Sequence, residues 1–237
     1  MPTQPSILSR SAMWAVLPVK DLRHAKQRLA AILSATERQE LARAMLEDVL
    51  SALAASAGLA GVLVVTRDAA ARRLATRYGA RVLREDRERG HTAASTFGAR
   101  SLAQEGVSGM IQVPADIPLV TPDDIAMLLR AHGEVPAVTL APARDGRGTN
   151  ALVCSPPDVL PLRFGDDSFP AHLRGAQELG MQPQIVRRPG LALDLDNPDD
   201  LAAFLETPSP TRAYAYLAAS GERLAGTCHR LARSGLI

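Results

Sequence analysis

With 237 residues and 46% hydrophobic content, the chain has material for one large core or two small ones, and a net charge of +2 denies it the broad positive field of a general nucleic-acid binder. Aromatic residues make up only 3%, too few for a single-strand stacking platform, and the two distant cysteines, Cys154 and Cys228, fit apolar fillers of a reduced cytoplasmic protein better than a disulfide scaffold. No apolar run reaches the ~18 residues of a membrane span, and residues 1–12 lack the apolar centre of a secretion signal, so they read as a flexible tail.

In chain order, "MWAVLPV" (13–19) predicts a buried strand and "HAKQRLAAIL" (24–33) a helix. Lys20, Arg23, Lys26 and Arg28 fall just after that strand, where cations could meet a polyphosphate or line a solvated helix face; the stretch lacks the P-loop pattern of a Walker-type ATPase. Ser34 and Glu37 form a capping box for a helix whose Leu41, Met45, Val49 and Leu53 recur on one face. "GVLVVT" (61–66) and "ARVLRE" (80–85) predict strands around a helix that Gly79 stops, and a further helix covers 93–105.

The next segment, "GMIQVPADIPLVTPDD" (109–124), places Asp116 between two apolar runs, where a buried carboxylate needs a partner. Thr121 and Pro122 then open a helix. Strands alternating with helices imply a parallel sheet covered on both faces, an α/β Rossmann-like fold. Ligands of such sheets lie beyond the carboxyl ends of the strands, which is where Asp116 falls.

The second half is less regular. Strands are predicted over 137–143 and 150–155, separated by the loop "RDGRGT", and "RFGDDSF" leads into a helix ending near Gly180. "QIVRRPG" (184–190) and "LALDLD" (191–196) are strand candidates, Asn197-Pro198 opens another helix, and "TPSPT" (207–211) reads as a linker to one or two small helices.

On a strand, Asp194 and Asp196 point to one face, and two carboxylates that close call for a cation. Magnesium suits hard oxygen ligands and joins carboxylates to phosphates. Asp196 has an alternative as the cap of the helix after it. "GRGTN" and "FGDDSF" are either ordinary glycine turns or anion sites made of backbone N–H groups beside a hydroxyl. The five histidines are scattered, with no nucleophilic triad and no G-x-S-x-G elbow.

The segments "LPVKDLRHAKQRLA", "PADIPLVTPDDI", "RGTNALV", "RFGDDSFPAHL" and "LALDLDNPDDL", in this order, resemble the 2-phospho-L-lactate guanylyltransferase family, which includes phosphoenolpyruvate and 3-phospho-D-glycerate guanylyltransferases. The resemblance implies a single nucleotide-diphospho-sugar transferase type domain over 13–206, followed by a linker and helical extension over 207–237. It implies transfer of GMP from GTP to the phosphate of a small acid in biosynthesis of the deazaflavin coenzyme F-420. By the same resemblance Asp116, Asp194 and Asp196 hold Mg²⁺, Thr149, Gly165 and Ser168 hold the phosphorylated acid, and Lys20, Lys26 and Arg28 lie near the GTP phosphates. Relatives often read Gly-Leu-Asn where this chain has Gly90-His91-Thr92. The expected partners are GTP and the acid, with no nucleic acid and no membrane; oligomeric state is open, a homodimer included. Two alternatives stand beside this one. A molybdopterin-type nucleotidyltransferase normally carries an "LAGG"-like first loop, which "LPVKD" is not, and a non-catalytic nucleotide-binding regulator would keep costly carboxylates without a metal.

Overall fold

A computed structural model describes residues 12–87 and 89–219. The expected tail lies outside the described residues except for Ala12, as does the C-terminal extension from residue 220.

Strand β1 (Met13–Pro18) is the hub of the first half, pairing in parallel with β2 (Gly61–Val65) on one side and β4 (Gly109–Gln112) on the other, while β2 pairs in parallel with β3 (Arg81–Leu83). The crossovers are helical. Helix α1 (Ala35–Ala54) starts at the expected capping box, with the Glu37 N–H donating to Ser34 Oγ and the Ser34 N–H to the Glu37 carboxylate, and it buries Leu41, Met45, Val49 and Leu53. Helices α2 (Ala69–Arg77), α3 (His91–Gln104) and α4 (Pro122–Ala131) follow.

Alternation along β1 sends Ala15 and Leu17 into one apolar cluster with α1, α2 and α4, and Val16 into a second with α3. The sheet is therefore covered on both faces, as a largely parallel sheet requires. Gly98 lets α3 approach closely, since a Cβ there would come within 2.6 Å of Val16.

The second half adds β5 (Ala137–Pro142), β6 (Thr149–Ser155) and β7 (Gln184–Ile185), giving a seven-stranded sheet in the order β3-β2-β1-β4-β6-β5-β7. Only β6 runs against its neighbours, antiparallel to both β4 and β5. Helix α5 (Ser168–Glu178) packs on the α3 face, burying Phe169 and Ala176. Cys154 of β6 is a fully buried filler, as expected, and burial pushes its thiol pKa up.

Three expected elements are different. Residues 24–33 do not form one helix; two 3₁₀ turns, Leu22–His24 and Gln27–Leu29, flank Lys26, whose left-handed backbone (φ 52°, ψ 44°) interrupts any helical run. The strand expected over 184–190 shrinks to the two residues of β7, because Pro189 opens the short helix α6 (Pro189–Ala192). The strand expected over 191–196 is absent. Leu191 and Ala192 belong to α6, whose last carbonyl accepts the Arg144 N–H at 2.7 Å, and the remainder is tied to a loop, the Leu195 N–H donating to the Asp116 carbonyl at 3.0 Å.

Helix α7 (Pro198–Leu205) and helix α8 (Arg212–Ala219) complete the described chain. The latter packs on α1 through Ala213 and Leu217, and Asp48 of α1 accepts the N–H groups of Arg212 and Ala213 at 2.9 Å each. Burial raises the Asp48 pKa even so. No helix among the described residues is long and apolar enough to cross a membrane.

Candidate active site

A cavity of about 980 Å³ lies beyond the carboxyl ends of β1 and β4, where Lys20 and Asp116 follow those strands. This is the reversal point of the sheet order, β2 and β3 lying to one side of β1 and β4 to the other. Asp116, Asp194, Asp196, Thr149, Gly165 and Ser168 all border this cavity. So do Lys20 and Arg28, both exposed.

Lys26 does not join those two cations on the cavity wall. Its Nζ donates to Asp116 Oδ2 and to Asp196 Oδ1, each at 2.7 Å. The lysine side chain is 8% exposed, against 28% for Asp116 and 42% for Asp196, so the ammonium sits behind the two carboxylates. Burial works against both charged partners, but the attraction wins: the Lys26 pKa lies above its ordinary value and that of Asp116 below.

Local capping explains why Asp196 is available for this role. Asn197, not Asp196, caps α7, its Oδ1 accepting the N–H groups of Asp199 and Asp200 at 2.9 and 3.1 Å. Asp200 returns the contact by accepting the N–H groups of Asp196 and Asn197. The Asp196 carboxylate is thus left to face Lys26.

Asp194 is the acid without a cation. It accepts a hydrogen bond from Asn150 Nδ2 at 3.2 Å, and its pKa is pushed up to about 6, first by burial and then by the charges of Asp116 and Asp196. One ammonium among three carboxylates leaves negative charge uncompensated, and the donors are all hard oxygens, so the residues fit a small divalent cation chemically. Among the described residues, no group of three or more Asp, Glu, His or Cys side chains closes into a ligand set.

The hairpin between β5 and β6, which lines the same cavity, meets the loop before α5. Arg147 pairs with Asp167 at 2.7 Å, and its carbonyl accepts the Phe169 N–H at 2.8 Å. Gly165 has φ +138°, a conformation that L side chains rarely adopt, which is why glycine serves there. Thr92 fastens α3 to the same loop, its hydroxyl donating to the Phe164 carbonyl at 3.0 Å while accepting the Phe164 N–H at 2.9 Å. Thr149 and Ser168 are joined directly, the Thr149 N–H donating to Ser168 Oγ at 2.9 Å.

Comparison with known proteins gives this geometry its class. The model of the family described as "Guanylyl transferase CofC like" matches residues 13–224. The chain belongs to that family. CofC-like proteins similar to it include a phosphoenolpyruvate guanylyltransferase from Rubrobacter xylanophilus, 43% identical over 191 residues that cover 81% of this chain and 92% of the relative. A 3-phospho-D-glycerate guanylyltransferase from Colwellia psychrerythraea is 38% identical over 195 residues, 82% of this chain and 92% of the relative. Among solved structures, one described as a nucleotide-diphospho-sugar transferase from Desulfovibrio desulfuricans G20 superposes with a TM-score of 0.76 over 91% of this chain and 97% of that one. At 16% identity it shows the fold alone. As a CofC-like guanylyltransferase the chain is a transferase enzyme with the nucleotide-diphospho-sugar transferase type fold.

Residues to which the sequence patterns gave no role also stand in or beside the site. Asn150, next to Thr149, steadies Asp194. His91 at the start of α3 lies 2.9 Å through Nε2 from Gln112 Nε2, and burial pushes its pKa down to about 4. His172 reaches Thr149 from α5. Its signal was the spacing Ser168-x-x-x-His172, one helical turn, which carries meaning only once the helix is known to begin at Ser168.

Proposed function

We propose that the chain transfers GMP from GTP to a phosphate oxygen of a small phosphorylated acid and releases diphosphate, with phosphoenolpyruvate, 2-phospho-L-lactate and 3-phospho-D-glycerate as the candidate acceptors and deazaflavin coenzyme F-420 biosynthesis as the setting. The acceptor oxygen attacks the α-phosphorus, a P–O–P bond forms, and the bond to the β-phosphate oxygen breaks. The acceptor phosphate is already ionised near neutral pH, so no side chain has to remove a proton. This agrees with the neutral state of His91, which borders the cavity, and of His172, which contacts Thr149, burial lowering both pKa values to about 4.

The observation that carries this proposal is the make-up of one cavity wall: Asp116, Asp194 and Asp196 line it together with the hydroxyl residues Thr149 and Ser168, the Gly165 loop and the exposed cations Lys20 and Arg28. Asp116, Asp194 and Asp196 would hold magnesium, which when bound neutralises phosphate charge and favours displacement at phosphorus. Lys26 holds Asp116 and Asp196 in place, and its charge favours the ionised form of Asp116. Lys20 and Arg28 meet the polyphosphate of GTP and ease the departure of diphosphate. Thr149, Gly165 and Ser168 orient the acceptor for in-line attack.

The test is diphosphate release from GTP in the presence of each of the three acids, with and without Mg²⁺. One acid should support turnover that EDTA abolishes. Absence of release with all three acids would overturn the acceptor assignment, and unchanged release in EDTA would remove the acids from their metal-holding role.

A further inference from the structure

His172 is a buried polar group beside the cavity to which the proposed chemistry gives no task. Its imidazole is 0% exposed, and the Phe164 ring stands edge-on to it with centroids 4.8 Å apart. Both ring nitrogens are engaged. The Arg163 backbone N–H donates to Nε2 at 2.9 Å, and Nδ1 lies 3.0 Å from Thr149 Oγ1.

A backbone amide can only donate, so Nε2 carries no proton. The proton of the neutral ring is then on Nδ1, and Thr149 Oγ1 accepts it. Burial, with the Arg163 charge adding to it, keeps the ring neutral by lowering its pKa to about 4. The adjoining hydroxyl is constrained in the same sense, because Ser168 Oγ accepts the Thr149 N–H. Each hydroxyl oxygen thus has a protein donor, and among the described residues neither hydroxyl proton has an acceptor. Both residues border the cavity, which leaves those two protons for a ligand.

We propose that His172 is a positioning residue of the acceptor subsite: by donating from Nδ1 to Thr149 Oγ1, it fixes that hydroxyl as a hydrogen-bond donor to an oxyanion of the phosphorylated acid. The inference rests on the assignment of Thr149 and Ser168 to the acceptor. A hydroxyl free to rotate could present its lone pair as readily as its proton, and would have to reorient for an anion. With His172 in place, that orientation is set before the acid arrives, the kind of preorganisation that strengthens anion contacts.

The experiment is steady-state kinetics on whichever of the three acids supports turnover, with KM measured separately for the acid and for GTP. His172→Phe, which has no ring donor, should raise the acid KM roughly tenfold, the scale of one hydrogen bond to a charged group, and leave the GTP KM unchanged. His172→Asn, whose amide nitrogen falls near the position of Nδ1, should recover most of that loss. His172→Gln keeps a partner for Arg163 but none for Thr149; it should behave like His172→Phe and stands in for it if the phenylalanine variant does not fold. In a Thr149→Val background the His172 substitution should add nothing.

Parallel rises in both KM values, no recovery in His172→Asn, or an undiminished effect in the Thr149→Val background would overturn the proposal. Thr149→Val alone separates the two levels. If it raises the acid KM and His172→Phe does not, only the role of His172 fails; if Thr149→Val leaves the acid KM unchanged, the acceptor assignment fails and takes this inference with it.

Discussion

At the acidic end of the site, Asp116 and Asp196 share a single ammonium and Asp194 has none; at the hydroxyl end, Thr149 and Ser168 offer hydroxyls held by a neutral imidazole and a backbone amide. Charge governs the first end, where burial and repulsion shift the pKa of Asp194 and attraction shifts those of Lys26 and Asp116. Geometry governs the second, where no partner titrates near neutral pH. The difference predicts that perturbing the acidic end gives large effects that depend on pH and on cations, and that perturbing the hydroxyl end gives smaller ones that depend on neither.

The largest effect is expected from Asp116→Asn. It removes one charge from the acidic end without changing shape, and turnover in the diphosphate-release assay should fall by roughly 10²–10³-fold, the scale of losing one preorganised electrostatic contact. A melting temperature near that of the wild type would show that the loss is chemical, and wild-type turnover would reject the role of Asp116.

Lys26→Met comes next. Asp116 and Asp196 would face each other without their ammonium, and stability should drop on the order of 2 kcal/mol, below the roughly 3–5 kcal/mol of a fully buried pair. The reduction reflects solvent access, because the two acids keep 28% and 42% of their side-chain surface exposed. The sign with pH is fixed by the depressed pKa of Asp116. The stabilisation is present above the ordinary carboxylate range and is lost as pH falls through the lowered value, so the deficit of the variant should be full at pH 7 and close on acidification. Urea midpoints followed from pH 7 down through and below the ordinary carboxylate range check this, and a deficit that stayed constant to the lowest pH would contradict it.

Asp194→Asn should move in the other direction. The pKa of Asp194 is raised to about 6, so the stability linked to its protonated form is complete below the ordinary carboxylate range and is lost as pH rises through that value. Asparagine resembles the protonated form. The metal-free variant should therefore be more stable than the wild type at pH 8 by about 1–2 kcal/mol, the shift being discounted for partial solvent access, and no more stable at pH 4. A variant less stable at pH 8 would show that Asp194 is already compensated in a way its neighbours do not reveal.

How much of this was legible before folding depends on whether a residue announces itself by chemistry or by conformation. Asp116 and the pair Asp194 and Asp196 stood out because charges interrupt apolar stretches. The alternation in "LALDLD" survived even though its strand did not: Leu193 and Leu195 are buried and the two acids are not, because alternation reports which side of an extended backbone a residue takes, whatever that backbone pairs with. Local caps were equally clear, Ser34 with Glu37 forming the expected box and Thr121 capping the helix it was expected to open.

Lys26 was not separable from Lys20 and Arg28. Its distinction is a left-handed backbone at a residue that is not glycine, and ion pairs to residues 90 and 170 positions away, neither of which has a local signal. His172 was hidden for a related reason. A histidine one turn from a serine is common, and only the arrival of Thr149 from β6 makes the pair an oriented unit.

Ser168→Ala, the smallest expected effect, tests the hydroxyl end directly. The substitution removes a donor to the acceptor and also the oxygen that accepts the Thr149 N–H, at a position only 3% exposed. Two losses of about 1 kcal/mol each should follow: the acid KM rises several-fold while the GTP KM stays, and the urea midpoint falls modestly because a buried amide loses its partner. No group in this contact titrates near neutral pH, so both losses should be the same at pH 5 and pH 7, a range across which the stability gain of Asp194→Asn should be changing. A Ser168→Ala penalty that varied across that range would mean that the hydroxyl end senses the charge of the acids, and that the two ends of the site act as one electrostatic unit.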